Sequence, residues 1–517
     1  MKINKRYTMG LSNAVPQNDV SRIVGYQLTT GNFATISPNL PQCIAILAEM
    51  NDANQATPLT PTQITSAKQA GDLYGYGSPV YNIARILFPI QGGGSVQAPV
   101  WVYPQLKAAG ATNTQFEISA SGVATANGTH YINLCGRESL DGTSYAINIV
   151  VGDNSDTISV KIYNAIANVL GCPVTASENP SPYSSTFTTK WSGLTSNDVN
   201  ATVDTQGNSL GLTYTITPLQ SGSGTPDINA ALALFGNQWN TIVINSYGLV
   251  PGVMNELETF NGIPSATAPT GRYSPTVFLP FYALSGTNLP DPSSITSPRS
   301  NQCTIVTCPC PNSPGMQMEA AANCAKMAAN TYQNTPNLDI CGQFMPDMPV
   351  PSISVGIGAM ASYDNRNAIL KAGSSTVNVK NQQYKIEDFV TTWAPTGENP
   401  PQFRYVRNID IDWNVRFQYL MLEAANVRDH QIANDGDSVS APGVIKPKMW
   451  NALLQQLATS LVSQGLIVDA AFMQASITVA ISSTNPDRFE TFFKYKRSGF
   501  ARVLSTTAQA GFNFGNL

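Results

Sequence analysis

Residues 41–50 read PQCIAILAEM, residues 75–88 read GYGSPVYNIARILF, and residues 98–104 read APVWVYP. The first and last pieces are short apolar runs bounded by Pro and Gly, the pattern of strands buried on both faces. Between them Val80, Ile83, Ala84, Leu87 and Phe88 recur at helical spacing. Ser78 suits the N-cap of that helix and Pro79 its first turn. TPTQITSAKQAGDLYG, just before, predicts a further helix beginning at Thr62 or Thr65. QGGGS (91–95) reads as the turn that ends the Pro79 helix. Strand, helix, strand is the signature of an α/β unit.

Outward from this unit the pattern changes at about residue 109. FEISASGVATANGTHYINLCG (116–136) alternates and is rich in turn residues, and YAINIVV (145–151) reads as another strand. GDNSD (152–156) is a turn, after which Ile158, Ile162, Ala165, Ile166 and Val169 mark a helix. Residues 173–222 are rich in Ser, Thr and Asn. The stretch 109–222 is therefore read as a β-rich module inserted into a larger unit. Alternation of strands and helices then resumes: INAALALFG, the strand TIVINSYG (241–248), a helix from about 251 to 261, strands PTVFLPFYAL (275–284) and NQCTIVTC (301–308), and a helix in GMQMEAAANCAKMAANTYQ (315–333).

The last third differs again. A short helix is expected over Asn365–Ala372, paired strands in TVNVKNQQYKIEDFVTTW, a long helix within 410–432, and an amphipathic helix over 447–465. The stripe of that last helix is Trp450, Leu453, Leu454, Leu457, Leu461 and Val462. The fold class expected is α+β / α/β multidomain. Its parts are an N-terminal arm (1–24), a first α/β segment (25–108), the inserted domain (109–222), an α/β core (223–350), and a C-terminal α+β domain (351–517) with a terminal strand arm.

Composition limits function. The chain has 517 residues, and only 12% of them are charged, against the ~25% usual in globular domains. A net charge of -4 excludes a strongly basic nucleic-acid binder. A surface so poor in charge suits broad burial in an assembly. The basic N-terminus lacks an apolar region behind it, so no secretory signal is expected, and no run of about 18 apolar residues predicts a membrane span. The 8 cysteines lack a disulfide-scaffold spacing and are expected to be reduced.

Chemical motifs are sparse. His130 and His430 lie in different modules and outside any nucleophile pattern. No phosphate-binding Gly-Lys motif occurs, and no cofactor is expected. Cys303, Cys308, Cys310 and the later Cys324 have thiols close enough in sequence to hold zinc, but they read more simply as buried small side chains. Asp410 and Asp412 share one face if NIDIDW is a strand, an arrangement that suits general acid–base work in a hydrolase; helix N-terminal acids are the plainer reading. No catalytic or metal site is assigned. Lys494, Lys496, Arg497 and Arg502 form a basic cluster, with Lys494 and Lys496 on one face of a strand. It reads either as a solvated edge or as a docking patch for an acidic protein surface.

Taken in order, several segments resemble the tail sheath proteins of contractile-tailed bacteriophages of the Mu-like type. CIAILAEM with the Gly-x-Gly-Ser turn at 75–78 is similar to the family's opening. YAINIVVGDNSDTISVKIYNAIAN is similar to the strand–turn–helix of its inserted domain, and GSGTPDINAAL to the junction that follows. NAILKAGSSTVNVKNQQYKIEDFVTTW and PKMWNALLQQLATSLVSQGLIVDA are similar to its C-terminal domain. The likeness spans about 40 to 517 and leaves residues 1–24 less well matched.

The resemblance implies a structural protein and not an enzyme. It implies stacked hexameric rings around a tail tube protein, with a baseplate and a tail terminator as further partners. Neighbouring copies exchange strands from their terminal arms, and contraction drives the tube through the host envelope. It implies neither nucleic-acid binding nor direct membrane insertion. The place implied is the virion tail, assembled in the host bacterial cytoplasm. The inserted module then faces outward, and the C-terminal domain faces the tube with the basic cluster or the 447–465 helix as contacts. The sheath of a bacterial contractile injection system is the alternative within the class. A β-rich surface adhesin or carbohydrate-binding protein is the alternative outside it, prompted by the Ser/Thr/Asn-rich middle.

Overall fold

The computed structural model describes residues 38–55, 60–90, 94–140, 143–180, 183–398 and 401–510. The expected arm at 1–24, residues 91–93 of the QGGGS turn and the last part of the expected tail strand lie outside the described residues. From Asn39 onward the described residues belong to one unit.

The centre of that unit is a six-stranded sheet. β1 (Ile44–Glu49) lies in the middle of it. Thr62–Ile64 forms the short strand β2, followed by helices α1 (Ala67–Tyr74) and α2 (Pro79–Leu87) and strand β3 (Val100–Gln105). β4 (Ile242–Asn245), α3 (Pro251–Asn261), β5 (Tyr282–Thr287), β6 (Ile305–Pro309) and α4 (Gln317–Asn334) complete the core. The strand order is β6-β5-β4-β1-β3-β2. All neighbours are parallel except β2 with β3. Ile44 stands opposite both Ile242 and Val100, so the two halves of the core, separated by the insert, close into one sheet.

The side-chain period of two divides the core between the sheet's faces. Ile44, Ile46 and Ala48 pack with Val80, Ile83, Leu87, Ala321 and Ala325 from α2 and α4. Ala45, Leu47 and Val243 pack with Met254 and Leu257 of α3 and with Phe235. Each fully buried Ile, Leu, Val, Met or Phe side chain among these contributes about 1.5–3 kcal/mol, and each Ala less. Helix α2 begins as its sequence requires, with the Ser78 hydroxyl accepting from the Tyr81 amide at 3.1 Å and Pro79 in the first turn.

Two local expectations are corrected. The helix expected from Thr62 or Thr65 starts at Ala67, capped by Ser66, because Thr62–Ile64 pairs with β3 instead. The strand expected over 275–284 covers only its end. Residues 274–279 bond locally, the amides of Val277 and Phe278 donating to the Ser274 carbonyl and that of Leu279 to Arg272, which leaves nothing for a ladder.

The stretch 109–222 carries its own sheets. Gln115–Gly122 pairs with Leu212–Gln220 on one side and Tyr183–Thr189 on the other, and Val174–Pro180 forms the outer strand. A second sheet joins Ala201–Asp204, Gly128–Leu134 and Ala146–Ile149. The helix Ser155–Ala167 buries Ile158, Ile162 and Ile166 against them and is capped by Asn154. Two acids, the half-buried Asp198 and the buried Glu319, tie this module to α4. Asp198 accepts from the amide of Gln317 at 3.1 Å, and Glu319 accepts from Arg85 of α2 and, at 2.9 Å, from Arg137 of the module.

Beyond the core, β7 (Thr376–Lys380) and β8 (Gln383–Asp388) form a hairpin. Its two loop residues, Asn381 and Gln382, both have positive φ, 53° and 57°, as a two-residue hairpin turn demands. α5 (Val406–Asn426) and α6 (Pro447–Ser463) pack Ile411 and Val415 against Trp450, Leu454, Leu457 and Leu461. Among the described residues no helix is long and apolar enough to cross a membrane.

Candidate assembly surface

The residues singled out by sequence fall into three groups. The cysteines are core material: all eight are unpaired, and seven are buried. Burial pushes the Cys303 thiol up to about 12, although the Tyr273 hydroxyl beside it acts in the opposite direction. Cys310 donates to the Thr287 carbonyl at 3.3 Å. Among the described residues no group of three or more His, Cys, Asp and Glu is placed to hold a metal. His130 is buried between the Tyr214 hydroxyl (2.7 Å) and the Asn208 carbonyl (2.9 Å), and His430 is at the surface.

Asp410 and Asp412 lie in the helix α5 and past its first turn, so neither the shared strand face nor the N-terminal position applies. Two positions apart on a helix, they point in different directions. Asp410 is fully buried and accepts from Gln42 and Asn414, both at 3.0 Å. Burial raises its pKa well above the carboxylate range. Asp412 faces the chain's C-terminal segment, where Tyr495 and Arg497 reach it.

That segment is where the basic cluster lies. Strands Phe489–Phe492 and Lys496–Arg497 flank it, each in a two-stranded sheet, with Thr478–Ile481 and Ile467–Val468 respectively. Lys494 sits between the two strands, so it and Lys496 do not share one continuous strand. Both side chains are nevertheless exposed. The Lys496 ammonium is 2.6 Å from Asp469 and 4.2 Å from the centre of the Phe472 ring. Arg497 and Arg502 are less exposed than the lysines and are likewise committed within the chain. Arg497 makes a forked pair with Asp412, Nε to Oδ1 at 2.7 Å and Nη2 to Oδ2 at 2.5 Å, while Tyr495 donates to the same carboxylate at 2.8 Å. Arg502 pairs with Asp339 and, at 3.0 Å, with Asp388, and its guanidinium stacks 3.9 Å from the Tyr405 ring. Burial works against the Arg502 charge, but Asp339 and the other neighbours more than offset it and its pKa is raised.

Arg407 of α5 adds a third hold. Its Nη1 donates to the Ser498 carbonyl at 2.9 Å and its Nη2 to the Ser498 hydroxyl at 2.6 Å. Asp339, Asp388 and Arg407 were not legible as partners in the sequence, because 163, 114 and 91 residues separate them from the groups they hold.

After Arg502 the holding stops. Residues 498–510 have no regular secondary structure, and Val503 and Leu504 are 86% and 85% exposed. Residues 503–517 contain no charged side chain. Among the described residues the two short sheets that include Phe489–Phe492 and Lys496–Arg497 have two strands each, and the outer side of such a strand is where a further strand pairs.

No protein-family model and no curated protein sequence matches the chain. Among solved structures, the chain is similar to the sheath tail protein of Desulfitobacterium hafniense, with a TM-score of 0.42 and 11% identity over 92% of this chain and 100% of that one. It is similar to the sheath tail protein Lin1278 of Listeria innocua to the same degree, with a TM-score of 0.42 and 11% identity over 89% of this chain and 93% of that one.

Proposed function

We propose that the chain is the structural subunit of a contractile tail sheath, with no enzymatic role. The observation that supports this most is the C-terminal segment. It is pinned to its own chain by arginines, and its next described residues, 503–510, are exposed and carry no charge. A lone globular protein gains nothing from such a segment, whereas a subunit that adds a strand to its neighbour needs one. The charge-poor composition and the ordered set of segments that resemble Mu-like sheaths point the same way.

In this reading copies join head to tail, a heterologous contact that propagates as a helical polymer. Hexameric rings stack around a tail tube, bounded by a baseplate and a tail terminator, in a virion tail assembled in the bacterial cytoplasm. Backbone pairing between arms keeps copies linked while their bodies rotate rigidly. Contraction then draws on interfaces remade between bodies, and no nucleotide is consumed. The sheath of an injection system is the same physical device. The test is co-sedimentation of the purified chain with assembled tail tubes. Pelleting with the tubes at a fixed stoichiometry is expected; a chain that stays in the supernatant at all concentrations counts against the reading.

A further inference from the structure

We propose that Arg416 is an oxyanion receptor: its guanidinium lies over the Phe278 ring, has no partner in its own chain, and takes a carboxylate or phosphate group from outside it.

Arg416 stands in the middle of α5 and is half-buried. Among the described residues it is the one arginine with neither a hydrogen bond nor an ion pair. The other described arginines donate to carboxylates or to backbone carbonyls, as Arg299 does to Glu258 and Arg272 to Leu279, Gly236 and Gln238. Burial lowers the pKa of Arg416, and no neighbouring charge acts against that. A cation partly out of water and without a counter-ion is unfavourable, and an arriving anion offsets the cost.

The helix supplies a natural partner and the fold diverts it. Asp412 comes four residues earlier, the spacing and order that favour an Asp–Arg pair on one helix face. Both of its oxygens are engaged instead by the C-terminal segment, through Arg497 and Tyr495. The other neighbours on that face, Trp413, Tyr419 and Leu420, bring no charge.

The platform under Arg416 is strained. Phe278 has a φ of 37°, in the left-handed region that a bulky side chain rarely adopts. Its amide donates to the Ser274 carbonyl, and the next amide to Arg272, which holds the turn. Its ring meets those of Trp239 and Tyr273 edge-on at 6.4 Å and 6.1 Å. The Arg416 guanidinium carbon stands 4.1 Å from the ring centre. Backbone strain of this kind persists only where the surroundings fix it, and it gathers at ligand clamps. The ring steadies the guanidinium and leaves its forked N–H donors free, the arrangement that recognises a carboxylate or a phosphate.

The test is titration of the dispersed full chain with sodium phosphate and, separately, with a hexaglutamate peptide. Ionic strength is held constant with sodium chloride. Tryptophan fluorescence reads binding, since Trp239 packs against Phe278 and Trp413 against Trp239. A saturable change is expected. Saturation by phosphate supports the receptor with a free anion as its ligand; saturation by the peptide alone supports it with an acidic protein segment as the source. No saturable change with either probe overturns it. R416Q should abolish the change, and binding at the parent's affinity in R416Q also overturns the assignment. R416K, which keeps the charge and loses the fork, should bind about 10-fold more weakly. If R416Q does not fold, R416K decides, and an affinity equal to the parent's contradicts the receptor. R497A should weaken binding by about 2-fold or more, because the released Asp412 then pairs with Arg416. An unchanged affinity in R497A overturns the account of how the site is kept open.

Discussion

Arg497 and Asp412 meet as a two-bond fork that joins the C-terminal segment to the middle of helix α5, 85 residues away in sequence. Both side chains keep some contact with water, 25% and 19% exposed, which discounts the pair relative to a fully buried one. R497A is expected to destabilise the chain by about 2 kcal/mol. D412A should cost a similar amount, and the double variant should fall short of additivity by about 1 kcal/mol. Denaturant unfolding of the four chains checks this; full additivity would mean that the fork carries no coupling.

Lys494 and Lys496 stand apart from that pair, exposed on the same segment. K494E/K496E replaces the exposed Lys496–Asp469 pair by two like charges and should cost folding no more than about 1 kcal/mol. If these lysines dock the chain on an acidic tube, the same variant should no longer co-sediment with tubes. Unchanged binding would move the tube contact elsewhere, with the exposed face of α6 as the next place to look.

Stability should depend on pH through Glu49. Its side chain sits at the end of β1, and burial pushes its pKa up to about 8 from an ordinary 4.5. The folded chain therefore holds a proton that the unfolded chain releases. That contribution is complete below about pH 4.5 and is lost as pH rises through about 8. Glu258, pushed up to about 7 chiefly by burial, acts in the same direction. Thermal melts should fall between about pH 5 and 8, and E49Q should flatten the fall without removing the share from Glu258. An identical slope in E49Q would show that Glu49 is ionised in the fold.

Gly286 in β5 should tolerate no side chain. A Cβ there would lie 1.8 Å from the carbonyl oxygen of Gln317, so the strand and the first turn of α4 touch backbone to backbone. G286A is expected to cost about 3 kcal/mol or to prevent folding, read by soluble yield and melting. A variant as stable as the parent would mean that α4 can slide along the sheet.

Legibility in the sequence depends on where the information sits. The core strands announced themselves because burial on both faces leaves only apolar residues, as at Ile44–Glu49 and Ile242–Asn245. Ser78–Pro79 announced α2 because capping is a local requirement. Phe278 misled, since an apolar run with turn hydrogen bonds looks like a strand until its backbone partners are known. The basic cluster was visible as composition, but two of its members turned inward. Charge in a sequence does not say whether Asp339, Asp388 or Asp412 waits across the fold.

The most direct test of self-assembly is negative-stain electron microscopy of the chain alone, over a rising concentration series. Hollow striated tubes are expected for the full chain, and none for a chain truncated after Arg502. Uniform single particles at every concentration, unchanged when tail tubes are added as template, would contradict the sheath reading.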